Sequence, residues 1–456
     1  MPEKQFETPR VYGIQPLRLP SDPPTDGVAA ANLRFPISAF RNFSFSVFDS
    51  ERPSHRQHRL PTHATRPSAA WAVRASRYRP YGRSCLSPPT VSHVSPVSPG
   101  HGNKAAQRRV VAVDLFCGAG GLTRGLLDAD LEVIAGYDVD WNCKFPYEHN
   151  NSGVRFLRRS VRSLTGAELA KQYPPNAVRV LVGCAPCAPF SQYTQGHETK
   201  ADKKWNLLNE FGRLVKELKP DIVSMENVPD LRRHSVFEAF EEVLKSEGFH
   251  FETDKDKQVV YCPDYGLPQH RSRLVLVASR LGPIELVKPT HKKYATVAQA
   301  IRSLPALTAG GVCSTDPLHR TSRLSKRNLE RIQYSTPGGS WRDWPDRLIA
   351  KCHKRKTGKS YPAVYGRMEW NAPAPTITTQ FYGFGSGRFG HPTQNRGMSL
   401  REGALLQAFP KDYQFVKPEG GYCIRTIGRM IGNAVPVTIG EVVGKSIIIH
   451  LQTYGR

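Results

Sequence analysis

The strongest constraint on the fold is a strand that runs into a glycine turn and then a helix. Val110-Val111-Ala112-Val113-Asp114-Leu115-Phe116 is an apolar, β-branched run that predicts a buried strand. Cys117-Gly118-Ala119-Gly120-Gly121-Leu122 follows, and a helix is expected from there through Leu127. Glycines at that point let backbone approach a bound molecule at a helix N-terminus, as in α/β proteins. Thr123 stands where the third glycine of G-x-G-x-x-G would be, so the dinucleotide pattern is incomplete. A second strand, Val133 to Tyr137, ends at Asp138, 18 residues after Gly120. An acid there can accept hydrogen bonds from ribose hydroxyls, or it can be a solvated loop acid or a helix cap; the sequence leaves both readings open.

The same alternation continues along the chain. Ala177 to Val182 reads as a buried strand, followed by Gly183-Cys184-Ala185-Pro186-Cys187-Ala188-Pro189-Phe190-Ser191. Prolines on both sides of Cys187 place it on a stiff loop at a strand end, where a thiol can attack a substrate. A packed core cysteine and a Cys184-x-x-Cys187 redox or zinc pair are the competing readings. There is no second C-x-x-C and no histidine pair at zinc spacing, so no metal is expected. Trp205 to Lys219 predicts an amphipathic helix with Leu207, Leu208, Phe211, Leu214, Val215 and Leu218 on one face. A strand, Asp221 to Met225, then leads to Glu226-Asn227-Val228-Pro229, which puts a second reactive group at a strand end. A helix from Val236 to Lys245 is expected, capped by Ser235 and stopped before Gly248. Two further strands are Val259 to Cys262 and Leu274 to Ala278; before the second, Gln269, Arg271 and Arg273 alternate onto one face of an extended segment.

Composition bounds the partners. The 456 residues carry 64 Lys and Arg against 39 Asp and Glu, a formal net charge of +25. Such a surplus points to a polyanion, most simply nucleic acid. Nine cysteines in this length make no disulfide framework, which fits a reducing cytosol, and no secretory signal or ~20-residue apolar span is read. Residues 1–105 differ from the rest. No acid occurs between Arg52 and Val113, Pro-Ser clusters recur, and no helical or strand period is sustained. Disorder or a spurious extension is expected there. Glu3, Glu7, Asp22 and Asp26 argue against a transit peptide.

Six segments in order carry a resemblance. They are Phe116-x-Gly118-x-Gly120-Gly121, Pro186-Cys187-x-x-Phe190-Ser191, Glu226-Asn227-Val228, Gln269-x-Arg271-x-Arg273, Arg401-Glu402-Gly403-Ala404-Leu405-Leu406-Gln407-x-Phe409-Pro410 and Gly432-Asn433-Ala434-Val435-Pro436. The series resembles the DNA (cytosine-5)-methyltransferases of bacterial restriction-modification systems, over about Val110 to His450. The resemblance implies an α/β, Rossmann-like S-adenosylmethionine-dependent methyltransferase sheet with helices on both faces, plus a smaller irregular target-recognition domain. The implied boundaries are 106–280 for catalysis and cofactor, 281–399 for target recognition and 400–456 for a segment returning to the catalytic domain.

The resemblance also implies roles. Cys187 would add to carbon 6 of a flipped-out cytosine, Glu226 would act at ring nitrogen 3, Arg273 would steady the base's carbonyl oxygen, and Arg271 would support the thiol's surroundings. Asn227 would order the proline-cysteine loop. Phe116, Gly118, Gly120, Gly121, Leu122, Asp138, Val139, Pro186, Asn433 and Val435 would line S-adenosylmethionine. Ser160 stands where an Asp is usual, and Ala185 and Ala188 replace a commoner Pro and Gln. Double-stranded DNA is the implied partner, with a restriction endonuclease acting on the same site, and the protein is expected to be monomeric and cytoplasmic. The recognition region is rich in Lys, Arg, Trp, Gly and Pro, as in Lys351-Cys352-His353-Lys354-Arg355-Lys356 and Gly383-Phe384-Gly385-Ser386-Gly387-Arg388; its basic residues would position phosphates while a few loop side chains reach base edges, and a solvated basic loop is the competing reading of the first run. Ala374-Pro375-Thr376-Ile377-Thr378-Thr379 reads as its closing segment, and Val437 to Leu451 as an apolar helix packing back on the first domain. A tRNA-methylating relative and a non-catalytic nucleic-acid-binding regulator are the alternatives; the first lacks its Cys-Phe-Thr signature here, and intact Cys187 and Glu226 oppose the second.

Overall fold

A computed structural model of the chain describes residues 108–186, 206–355, 358 and 361–455. The expectations for residues 1–105, for Trp205 and for Cys187 lie outside the described residues. The apolar runs form β1 (Val110–Leu115), β2 (Glu132–Asp138), β3 (Arg155–Arg158), β4 (Val178–Gly183) and β5 (Ile222–Asn227). They join β6 (His250–Phe251), β7 (Val259–Tyr261) and β8 (Ser272–Ser279) in one sheet of order β3-β2-β1-β4-β5-β8-β6, with β7 also on β8. From β3 to β5 neighbours run parallel, and β8 lies antiparallel to β5. Such a sheet is buried on both faces, which is why its strands read as continuous apolar runs.

Residues alternate between two cores along each strand. Val111, Val113 and Leu115 of β1 face one cluster, with Phe211, Leu214, Phe237 and Phe240 of α4 (Asn206–Leu218) and α5 (Ser235–Ser246). Ala112 faces the other cluster, with Leu122 and Leu126 of α1 (Gly121–Asp128) and Ile439, Val443 and Ile447 of α10 (Val437–Tyr454). The fold is therefore the α/β arrangement expected, with helices on both faces. Two local expectations shift. Ser235 is the first residue of α5 rather than its cap; His234 takes the cap position, with no side-chain cap bond. Cys262 opens a short 3-10 turn and does not extend β7. Gly248 does stop α5, at φ +77°. The apolar run through α9 (Ile424–Asn433) and α10 is long and apolar enough to cross a membrane by composition, contrary to the sequence reading. Here 67% of its most apolar window is buried inside the protein.

The 281–399 stretch has little regular structure beyond α6 (Val297–Ile301) and α7 (Lys326–Tyr334). A separate small core of Ile332, Trp341, Trp344, Leu348 and Phe384 fills it. Irregular backbone leaves carbonyls without ladder partners, and buried arginines supply donors. Arg367 donates to the carbonyls of Ile332, Ser335, His391 and Gln394. Arg396 forks onto both oxygens of Glu402, on α8 (Leu400–Leu406), at 2.8 and 2.6 Å.

Candidate active site

The strand order reverses between β1 and β4, and in open α/β sheets ligands bind at the carboxyl ends of strands at such a point. The loop after β1 is built for close approach. Phe116, Gly118 and Gly120 all have positive φ, at 58°, 51° and 92°. A side chain on Gly118 would meet nothing within 4 Å, whereas a Cβ on Gly121 would lie 2.2 Å from the Val435 carbonyl oxygen. The first is open space beside the loop. The second shows that the absence of a side chain lets the Asn433–Val435 turn, which joins α9 to α10, pack directly on the glycine loop.

Asp138 ends β2 beside this loop. Its Oδ2 accepts from Gly118 N at 3.0 Å and its Oδ1 from Asp140 N at 2.8 Å. Burial raises its pKa, and the backbone donors of Asp140, Gly118 and Val139 oppose that rise. Val139 next to it is 61% exposed, an apolar side chain held out at the strand end. Asp140 reaches across to Arg429 of α9 at 2.7 Å. Ser160 lies just past β3 and accepts from Arg162 N, capping a short turn. Below the loop Asp114 is buried, with Oδ2 accepting from Thr123 Oγ1 at 2.7 Å and Oδ1 without a hydrogen-bond partner. Burial pushes its pKa from the ordinary 3.8 to about 7, against the Thr123 hydrogen bond and with a further push from Asp138.

Two strands away, β5 ends at Glu226 and Asn227, both buried. Asn227 Nδ2 donates to Ala185 O at 2.9 Å, and its Oδ1 accepts from Val228 N at 2.8 Å. It thus ties the backbone just before Pro186, an exposed residue, to the neighbouring strand. Glu226 Oε2 accepts from Cys184 Sγ at 2.7 Å. Arg273 Nε lies 2.8 Å from Oε1 as an ion pair, but off the line of a hydrogen bond, so no described donor is aligned with that oxygen.

Arg271 sits apart from the acid's hydrogen bonds. It donates to Gln269 Oε1 at 3.3 Å and to Ile377 O at 3.1 Å, while its Nε has no partner. Burial first, then the Arg273 charge, lowers its pKa to about 9, with Glu226 opposing. Gln269 bonds Ile377 N at 2.7 Å, and Leu406 O and Gln407 Oε1 at 2.9 Å each. The Ala374–Ile377 segment is therefore laid along the start of β8. In the sequence Gln269 stands in an alternating ladder with Arg271 and Arg273; its place as the junction of three segments depends on contacts far apart in sequence. A redox or metal pair of Cys184 with Cys187 is the competing reading that the sequence leaves weakest. The described residues hold no cluster of three or more metal-ligating side chains.

The model for C-5 cytosine-specific DNA methylases matches residues 110–449. The chain belongs to this family. It is a DNA cytosine-5 methyltransferase, and S-adenosylmethionine is its methyl donor. Among its relatives, the Type II methylase M.HgiDII of Herpetosiphon aurantiacus is 52% identical over 345 residues, covering 75% of this chain and 95% of the relative. The Type II methyltransferase M.PspPI of Psychrobacter is 29% identical, covering 75% and 79%. A solved structure described as a DNA modification methyltransferase from an E. coli prophage shares the fold at TM-score 0.58 and 20% identity, covering 75% of this chain and 99% of that one. The glycine loop, with open space at Gly118 and the Asp138 carboxylate beside it, fits a cofactor that carries a ribose.

Proposed function

We propose that the protein methylates carbon 5 of a cytosine flipped out of double-stranded DNA at a specific sequence, through a covalent adduct with Cys187. The observation that carries this reading is the buried Glu226 carboxylate, with one oxygen lacking an aligned donor, beside a backbone that Asn227 ties to the start of the cysteine loop. Carbon 5 of cytosine is a poor nucleophile. The Cys187 thiolate forms a bond to carbon 6, and the C5–C6 π electrons move toward carbon 5. Charge that builds toward ring nitrogen 3 is met there by a proton that Glu226 donates and takes back when the thiolate leaves. Arg273, ion-paired to Glu226, steadies the ring carbonyl oxygen, and Arg271 holds the supporting strand. Bound S-adenosylmethionine supplies an electrophilic methyl group on its sulfonium. After methyl transfer a base removes the proton from carbon 5, the C6–S bond breaks and the thiolate is restored.

In this reading Phe116, Gly118, Gly120, Gly121 and Leu122 line the cofactor, with Pro186, Asn433 and Val435 toward its methionine end. Asp138 holds the ribose hydroxyls and Val139 touches the adenine, while Ser160 offers no carboxylate to the adenine amino group. Residues 106–280 form the catalytic part, 281–399 read the target through basic side chains, and 400–456 return to the catalytic part. The enzyme works as a monomer in the bacterial cytoplasm and protects DNA from an endonuclease that cuts the same sequence. The test is trapping on 5-fluorocytosine DNA. Cys187→Ser should abolish both trapping and methyl transfer. Glu226→Gln should slow single-turnover chemistry by roughly 10²–10⁴ with DNA affinity little changed. Trapping that survives Cys187→Ser, or an unchanged rate in Glu226→Gln, overturns the corresponding role. Bisulfite sequencing of DNA from an expressing strain reads the target.

A further inference from the structure

The Cys184 thiol has no part in the chemistry above, yet the sheet delivers it to the catalytic acid. β4 and β5 run parallel with Gly183 opposite Met225, so Cys184 and Glu226 each stand one residue beyond a paired position. Side chains at matched positions of adjacent strands lie side by side. The consequence is the 2.7 Å approach of Cys184 Sγ to Glu226 Oε2. Glu226 is 4% exposed, so an oxygen that loses a partner here gains no water in exchange. A carboxylate's terminal torsion is soft and two-fold, so packing of the chain does not by itself fix which oxygen points where.

We propose that Cys184 is a positioning residue for the Glu226 carboxylate: its S–H holds Oε2 toward β4 and leaves Oε1 to meet the cytosine. The inference rests on the role given to Glu226 above. Arg273 attracts Oε1 by charge from 2.8 Å but off the hydrogen-bond line, so Cys184 is the described donor aligned on this carboxylate. As an S–H donor the thiol would orient the acid without adding a second charge beside it. A misaimed carboxylate costs rate and not substrate affinity, since its contact with the base matters most as charge develops.

The experiment measures single-turnover methyl transfer by the full chain with labelled S-adenosylmethionine. Cys184→Ala and Cys184→Val both remove the donor, and Val keeps apolar bulk in its place. Both should slow the step roughly ten-fold, the size of one hydrogen bond to a charged group, with KM for DNA and cofactor unchanged. Cys184→Ser keeps a donor and should stay within about three-fold of wild type. In a Glu226→Gln background the Ala substitution should add nothing, because coupled residues do not contribute independently. If Cys184→Ala does not fold, the Val and Ser variants carry the same contrast. A wild-type rate in the Val variant, or an equal loss factor in both backgrounds, overturns the inference. A wild-type rate in Glu226→Gln alone instead overturns the role of the carboxylate, and with it what Cys184 positions.

Discussion

Asp114 should make the enzyme less stable as pH rises from acid towards neutrality, and a single substitution should remove the effect. The carboxyl is 1% exposed beneath the glycine loop, with one oxygen bonded to Thr123 and the other unpartnered. Its pKa is pushed up to about 7 by burial, whereas an Asp in the unfolded chain titrates near 3.9. Between these values the folded state binds the proton and the unfolded state does not. Stability therefore falls as pH rises from about 4 to about 7 and is flat above. At about 1.4 kcal/mol per unit, the full span is at most about 4 kcal/mol. Asp114→Asn keeps an acceptor for Thr123 and cannot ionise. Urea denaturation of both proteins at pH 5, 6, 7 and 8 isolates the contribution, since every other titrating group cancels in the difference. The variant's advantage should grow by about 1–3 kcal/mol from pH 5 to pH 8. Parallel midpoints across that range would refute the argument that burial holds this proton.

Two further outcomes follow from the packing around the site. Gly121→Ala would put a Cβ 2.2 Å from the Val435 carbonyl, so the turn bearing Asn433 must move. Thermal unfolding should show a loss of about 1–3 kcal/mol, and calorimetric titration weaker S-adenosylmethionine binding; wild-type values in both would sink the idea. Asn227→Ala leaves the Ala185 carbonyl without its 2.9 Å donor, at a cost of about 1–3 kcal/mol. Trapping on 5-fluorocytosine DNA should slow, and an unchanged rate would show that the cysteine loop needs no tie to β5.

What could be read in the sequence depended on whether a feature was local. The strands β1, β4 and β5 were legible because a strand buried on both faces is a bare apolar run. The glycine turn was legible because positive φ at Gly118 and Gly120 demands glycine. The cap of α5 was misplaced by one residue, within the usual uncertainty of helix ends. The basic run Lys351–Lys356 looked like a solvated loop, but His353 within it is buried and stacks on Trp341 at 4.5 Å. Irregular chain has no period to betray an inward-facing residue. Cys184 beside Glu226 was illegible for a different reason, because it follows from the register of two strands that sequence spacing does not set.

The register of β8 carries this furthest. Because β8 runs antiparallel to β5, with Glu226 opposite Val275 and Asn227 opposite Leu274, Arg273 comes to Glu226 at its entry end. The residues just before it turn instead to the rest of the molecule. Arg271 and Gln269 bond Ile377, Gln269 also bonds Gln407, and Gln407 Nε2 donates to Ile431 O at 2.8 Å. Ile431 lies on α9, two residues before the Asn433 that leads into the turn packed on the glycine loop. Five residues of one extended segment, 269–273, thus connect Glu226, the Ala374–Ile377 segment and the turn packed on the glycine loop. Buried hydrogen bonds linked in this way hold the three segments in one mutual arrangement. Among the described residues the Nε of Arg271 has no hydrogen-bond partner, so the network is open at that donor, which burial makes costly to leave unpaired.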